Sequence, residues 1–284
     1  MPVRQTVQLG PVQETLLIPL YARALDAQKK RPLLNDRKAV EMVQSIDWDF
    51  CRFKQKPRVM ACILRTAIFD DAVRDFLSRH PQGTVVEIGA GLNTRFERLD
   101  NGSLHWFDLD LPDTVELRRR FFTDSERRVT LAASILDSEW MAAVRQSPGP
   151  YCFVAEAVFL YLTEQQVKAA LAQIAANFPG ATLAFDSTIR EGVIRANKDH
   201  ERRNLDARFA WSCEDPKEIE QWKIGLRLVG SITSLPNSWR SRLPLPMRAA
   251  MRISAKLFPR LKKVYRFNLF AADAEACPAT QTYA

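Results

Sequence analysis

The segment Val85–Thr94 (VVEIGAGLNT) places a carboxylate and two glycines at the end of a β-branched run. Gly89 and Gly91 let the chain turn tightly and come close to a ligand. Ligands of open α/β sheets sit at the carboxyl ends of the strands, so the turn stands where an adenosine-type cofactor binds. About twenty residues on, a second strand ends in Asp108-Leu-Asp110. A carboxylate at that distance accepts hydrogen bonds from both ribose hydroxyls. Asp137, after a third strand, either reads an adenine amino group or caps the helix that follows. Glu156 ends a fourth strand inside an apolar run, where a carboxylate is costly without a cation. Its expected partner is the ammonium of a bound amino acid moiety or a nearby arginine such as Arg65.

Two cofactor classes compete for the turn. A dinucleotide site asks for a third glycine, where this chain has Thr94, and no Tyr-x-x-x-Lys pair supports hydride chemistry. S-adenosylmethionine sites of class I methyltransferases use an acidic residue followed by G-x-G, which Glu87-Ile-Gly89-Ala-Gly91 supplies. A nicotinamide-dependent oxidoreductase is therefore the alternative, as is a cofactor-binding protein that turns the sulfonium to other chemistry.

Three motifs occur in order: Glu87–Arg95 (EIGAGLNTR), Trp106–Pro112 (WFDLDLP) and Ala155–Leu162 (AEAVFLYL). Together they resemble the leucine carboxyl methyltransferase family, and within it the bacterial branch of polyketide O-methyltransferases. The likeness runs from about Glu14 to about Phe270 and includes Tyr21-Ala-Arg23-Ala and Arg65-Thr66. It implies a class I methyltransferase fold with S-adenosylmethionine as donor and an oxygen acceptor, carboxylate or hydroxyl, on a small molecule. By matching positions it implies Arg65 on the methionine carboxylate, Gly89 along the methionine, and Glu156 near its amino group. Asp110, or Asp108 beside it, then takes the ribose, and Asp137 lies near the adenine. Asn93 stands where the family commonly has aspartate, which keeps the turn but removes a charge.

Methyl transfer from a sulfonium is an in-line displacement, so alignment supplies much of the rate. A carboxylate acceptor needs no base at neutral pH, whereas a phenol benefits from one. Of His80, His105 and His200, only His200 is a candidate base, or else it is a surface histidine. Tyr161 resembles a family position near the acceptor and either positions a substrate oxygen or packs in the core. No His/Asp/Glu cluster at ligand spacing indicates a metal.

These residues need a scaffold, and the pattern supplies one. Apolar periodicity predicts helices over Thr15–Ala27, after a cap at Asn35 or Asp36, and over Arg58–His80, which Pro81 and Gly83 stop. From residue 84 strands at Thr84–Ile88, Leu104–Leu109, Arg128–Ala132, Tyr151–Ala155 and Ala181–Phe185 alternate with helices, one opened by the capping box Thr163/Gln166. That alternation predicts an α/β, Rossmann-like, mostly parallel sheet covered on both faces. Leu226–Thr233 and Tyr265–Ala271 would supply two final strands. One domain is expected: a helical cap (1–82), a cofactor-binding core (83–186), a lid-like insertion (187–212) and a basic C-terminal part (213–272).

Composition narrows the class. The 284 residues carry 41 Lys/Arg against 33 Asp/Glu, a net charge of +8, and are 46% hydrophobic, the balance of a globular chain. No apolar run reaches the ~20 residues of a bilayer span, and no secretory signal is recognisable. Five scattered cysteines without a C-x-x-C pair read as reduced thiols of a cytoplasmic protein. Eleven Lys/Arg and no acid fall between Gln221 and Ala272. Arg248, Arg252 and Lys256 would form one helical stripe there. The stretch either guides an anionic acceptor or an acidic carrier protein, or is a solvated face. Nucleic acid is not expected, since no aromatic platform accompanies the charges.

Overall fold

Seven strands form one sheet: β1 (Thr84–Ile88), β2 (His105–Asp110), β3 (Arg128–Ala132), β4 (Tyr151–Ala155), β5 (Thr182–Thr188), β6 (Leu226–Ile232) and β7 (Tyr265–Ala272). Their order is β3-β2-β1-β4-β5-β7-β6, with β1 to β5 parallel and β7 antiparallel to both neighbours. This computed structural model describes residues 12–53, 56–233 and 264–274, with 5–6, 10, 237–241, 243, 245 and 248–249. The expected mostly parallel sheet, helices on both faces, is present. The first four parallel strands lie within one residue of their predicted bounds, and β5 runs three residues past its predicted end at Phe185.

Strand alternation divides the core. Val86, Ile88, Phe107, Leu109, Phe153 and Ala155 face α6 (Trp140–Val144) and α7 (Glu164–Asn177). Val85, Trp106, Cys152 and Val154 face α3 (Lys56–Arg79) through Phe69, Val73 and Phe76. The central strand β1 is buried along its whole length, as a strand covered on both sides must be. Thr163 and Gln166 close the predicted capping box on α7.

The register sets the site. Ile88 lies opposite Leu109 on one side and Ala155 on the other. The loops leaving β1, β2 and β4 therefore start at one level, beside the point where strand order reverses between β1 and β4. Over these loops sit α1 (Leu17–Ala27) and α2 (Arg37–Ser45), which build a core with α3 from Leu17, Leu20, Tyr21, Ala39, Met42 and Ile63. Leu92 of the glycine turn is packed into that same cluster. Asp36 caps α2, its carboxylate accepting from Ala39 N.

The helices after β1 and β2 are α4 (Arg95–Leu99) and α5 (Pro112–Arg118). Residues 187–212 finish β5, form α8 (Arg190–Glu201) and return as a loop that buries Leu205, Ala207 and Trp211. A short α9 (Lys217–Gln221) precedes β6. In the basic stretch, Arg252 and Lys256 lie outside the described residues, so the expected stripe with Arg248 does too.

Candidate active site

The turn after β1 is held from three sides. Gly89 N and Ala90 N donate to Leu109 O at 2.8 and 3.2 Å, and Gly91 N donates to Asp110 Oδ2 at 2.6 Å. Arg118 of α5 donates to Gly91 O at 2.8 Å and Asn93 O at 3.0 Å. Arg23 of α1 donates to Leu92 O at 2.6 Å. Gly89 and Gly91 have φ of +63° and +49°, and a Cβ on Gly89 would stand 2.4 Å from the Val158 side chain. Only glycine fits there.

Against this turn lies a cavity of about 360 Å³, within the range of small-ligand sites. Gly89, Gly91, Asp110, Ser134, Arg65 and Glu156 all contribute to its wall. Asp110 Oδ1 also accepts from Leu111 N at 2.7 Å, and burial pushes its carboxyl up to about 6. The carboxylate is thus oriented by two backbone donors and retains lone pairs toward the cavity. At the other end Glu156 Oε1 accepts from Arg65 Nε and Thr66 Oγ1, both at 2.9 Å, while Oε2 takes Arg95 at 2.5 Å. Those cations hold the Glu156 carboxyl below its ordinary value despite burial.

Tyr161, Arg58 and His200 line the same cavity. Tyr161 donates to Thr15 Oγ1 at 3.1 Å, its ring edge-on to Phe209. His200 is buried, not on the surface. Its Nδ1 lies 2.9 Å from Ala207 O, so that nitrogen carries the proton and Nε2 keeps its lone pair. Burial, then the Arg58, Arg208 and Arg203 guanidiniums, lower its pKa, leaving a neutral imidazole at pH 7. Arg58 pairs with Asp199 of α8 through one guanidinium nitrogen. Its NH1 is buried without a hydrogen-bond partner among the described residues.

The leucine carboxyl methyltransferase family model matches residues 17–175. The tetracenomycin polyketide synthesis O-methyltransferase of Streptomyces glaucescens is 32% identical over 225 residues, 78% of this chain and 83% of that one. The chain belongs to the leucine carboxyl methyltransferase family. It is, accordingly, an S-adenosylmethionine-dependent methyltransferase. A Gibberella zeae S-adenosyl-L-methionine-dependent methyltransferase is 28% identical over 245 residues, 78% of this chain and 82% of that one. Among solved structures, a Thermobifida fusca protein described as a methyltransferase superposes with a TM-score of 0.57. It is 18% identical over 89% of this chain and 94% of its own. A DUF574 family protein from Streptomyces avermitilis gives 0.55 at 14% identity, over 91% and 97%. These two likenesses concern the fold.

Within this leucine carboxyl methyltransferase family member, three of the expected donor residues turn away from the cavity. Glu87 alternates onto the α3 side of β1, where Oε1 accepts from Asn93 Nδ2 at 2.7 Å and from Arg95. Burial raises its carboxyl to about 7. It braces the turn from behind. Asp108 is fully buried and accepts from Arg118 at 2.7 Å, Arg128 Nε at 2.8 Å and Trp106 Nε1 at 3.0 Å. Of the two aspartates, Asp110 is the one on the cavity wall. Asp137 is exposed and folds back to accept from Ser134 N at 2.8 Å, neither lining the cavity nor capping α6. Ala133, Ser134 and Ile135 of the same loop line it instead.

Sequence reasoning missed Arg95, which bonds Asp70 at 2.9 Å as well as Glu87 and Glu156 and is wholly buried. A signal existed. A cation in the first turn of a helix opposes the helix dipole, so Arg95 at the start of α4 had to answer to nearby carboxylates. Arg58 gave no such signal. Among the described residues no group of His, Cys, Asp or Glu is placed to hold a metal.

Proposed function

We propose that the protein transfers the methyl group of S-adenosylmethionine to an oxygen of a small-molecule acceptor, a carboxylate on a polyketide-like acid. The observation that carries this reading is Arg58, a half-buried cation on the cavity wall whose NH1 has no hydrogen-bond partner among the described residues, while its NH2 pairs with Asp199. A buried guanidinium nitrogen left without an acceptor is costly, and a carboxylate is a group that this planar fork fits. The name of the Streptomyces glaucescens relative agrees with an oxygen acceptor of polyketide type.

The cavity lining supports an assignment of the donor residues. Asp110 would accept from the ribose hydroxyls, Gly89 and Gly91 would let the ligand approach the turn, and Ser134 and Ile135 would flank the adenine. Glu156 would face the ammonium and Arg65 the carboxylate of the methionine part. The bound donor supplies an electrophilic methyl on a sulfonium. Arg58 then orients the acceptor anion, and Tyr161, fixed by Thr15, borders its path. The apolar walls from Leu16, Ile18, Val158 and Leu162 exclude water from the line of transfer.

A hydroxyl acceptor is the second reading, favoured by the neutral His200 with Nε2 free to take a proton. Turnover by His200→Asn separates the two. A carboxylate acceptor leaves kcat within about threefold, whereas a phenol loses the ~10²–10⁴ that a general base contributes.

A further inference from the structure

Asp186, in β5, is wholly buried and is not part of the cavity wall. Both its oxygens accept from Ala157 N, at 2.9 and 3.1 Å, and Oδ2 also accepts from the Tyr265 hydroxyl at 2.5 Å. Ala157 follows Glu156 directly and has φ of +57°, a left-handed conformation that residues with a Cβ avoid. Next to it, Val158 stands so close to Gly89 that no Cβ fits between them. The turn 156–158 thus carries Glu156 toward Arg65 and Val158 toward the glycine turn. Something must hold Ala157 in its unfavourable conformation, and the contact that does so in the structure is Asp186.

We propose that Asp186 is a positioning residue for donor binding: it clamps Ala157 in the left-handed turn and so fixes Glu156 and Val158 at the cavity. The inference rests on reading this end of the cavity as the methionine subsite. Arg65 lies near Asp186 and Tyr265 as well as Glu156, so a direct electrostatic route through Arg65 is the rival explanation.

Titration calorimetry with S-adenosylhomocysteine, alongside thermal melts, separates the routes. Asp186→Ala should weaken binding about tenfold, the scale set by releasing a strained non-glycine residue. Adding Ala157→Gly should restore affinity to within about threefold, because glycine takes this φ without help. Asp186→Asn, which keeps an acceptor for Ala157 N while losing the charge, should also stay within about threefold. The clamp is overturned if folded Asp186→Ala binds normally, if Ala157→Gly brings no recovery, or if Asp186→Asn loses as much as Asp186→Ala. Should Asp186→Ala not fold, the double variant and Asp186→Asn decide on the same criteria. If the wild type itself ignores S-adenosylhomocysteine, the donor assignment fails. The clamp is then judged by whether Ala157→Gly recovers the melting temperature lost in Asp186→Ala.

Discussion

The Asn93 side chain donates to Glu87 Oε1 at 2.7 Å, inside the hairpin of chain that forms the glycine turn. Asn93 Oδ1 in turn accepts from Thr94 N at 2.8 Å. The amide thus donates where an aspartate would present a second carboxylate. This is why asparagine suits the position, given that Glu87 already shares Arg95 with Asp70 and Glu156.

Asn93→Asp should therefore destabilise the fold by about 2 kcal/mol at pH 8, through a lost buried hydrogen bond and an added buried charge. At pH 5.5 the two carboxyls can share a proton, and the loss should shrink by about half. Urea melts at the two pH values measure this. An equal loss at both would mean that Glu87 and residue 93 do not interact.

Asp108 and Asp110, two residues apart on β2, should fail in opposite ways. Asp110→Ala should cost about 1.5–3 kcal/mol in donor binding, the worth of hydrogen bonds to a charged group, with little change in melting temperature. Asp108→Asn should cost about 3 kcal/mol of stability, because Arg118 and Arg128 lose the carboxylate between them. Calorimetry and melts on both variants distinguish the roles. A stable Asp108→Asn with lost donor affinity would reverse them.

Stability should peak on the acid side of neutrality. Burial raises Glu87 to about 7 and Asp110 and Asp186 to about 6, so these carboxyls bind protons more tightly folded than unfolded. Their contribution grows as pH falls from above 7 toward 5. Asp36, Asp70, Asp108 and Glu156 are held below their ordinary values, and the stability they supply is lost once pH drops under about 4. His200, its pKa lowered, opposes the first trend below about 6.5, one imidazole against three carboxyls. Melting temperature should pass a maximum between about pH 4.5 and 6. A steady climb from pH 5 to 8 would show that the three raised carboxyls are not buried as described.

Arg58→Ala should raise the acceptor's KM at least about tenfold and leave S-adenosylhomocysteine affinity within about twofold. Added salt should not imitate the variant, since the charge lies inside the cavity rather than on the surface. Steady-state kinetics with a carboxylated aromatic acceptor provides the readout. Equal losses in donor and acceptor binding would move Arg58 to the donor end.

The sheet was legible because strand alternation and glycine punctuation are local properties, and so was the glycine turn. For the pair Asp108 and Asp110, alternation alone did not say which carboxylate the arginines of α5 and β3 would claim. Glu87 illustrates the same difficulty. An acid ending a strand beside a G-x-G turn reads as a ligand contact, yet strand parity sends it behind the turn to Arg95. Asp137 was misplaced because a loop carboxylate that folds onto its own backbone leaves no periodic trace. His200 reads as a surface base candidate because nothing in α8's sequence announces that Ala207 and Phe209 of the following loop pack against it. Asp186 went unnoticed for a different reason: its task depends on the φ of Ala157, a property no side chain advertises.

The central claim is that the cavity between Gly89 and Asp110 holds S-adenosylmethionine, and titration calorimetry of the wild type and Asp110→Ala tests it most directly. S-adenosylmethionine and S-adenosylhomocysteine should bind the wild type in the micromolar range, weaken by about tenfold or more in Asp110→Ala, and have no counterpart with NAD. Binding of NAD in place of both, or an Asp110→Ala variant with undiminished affinity, would contradict the account.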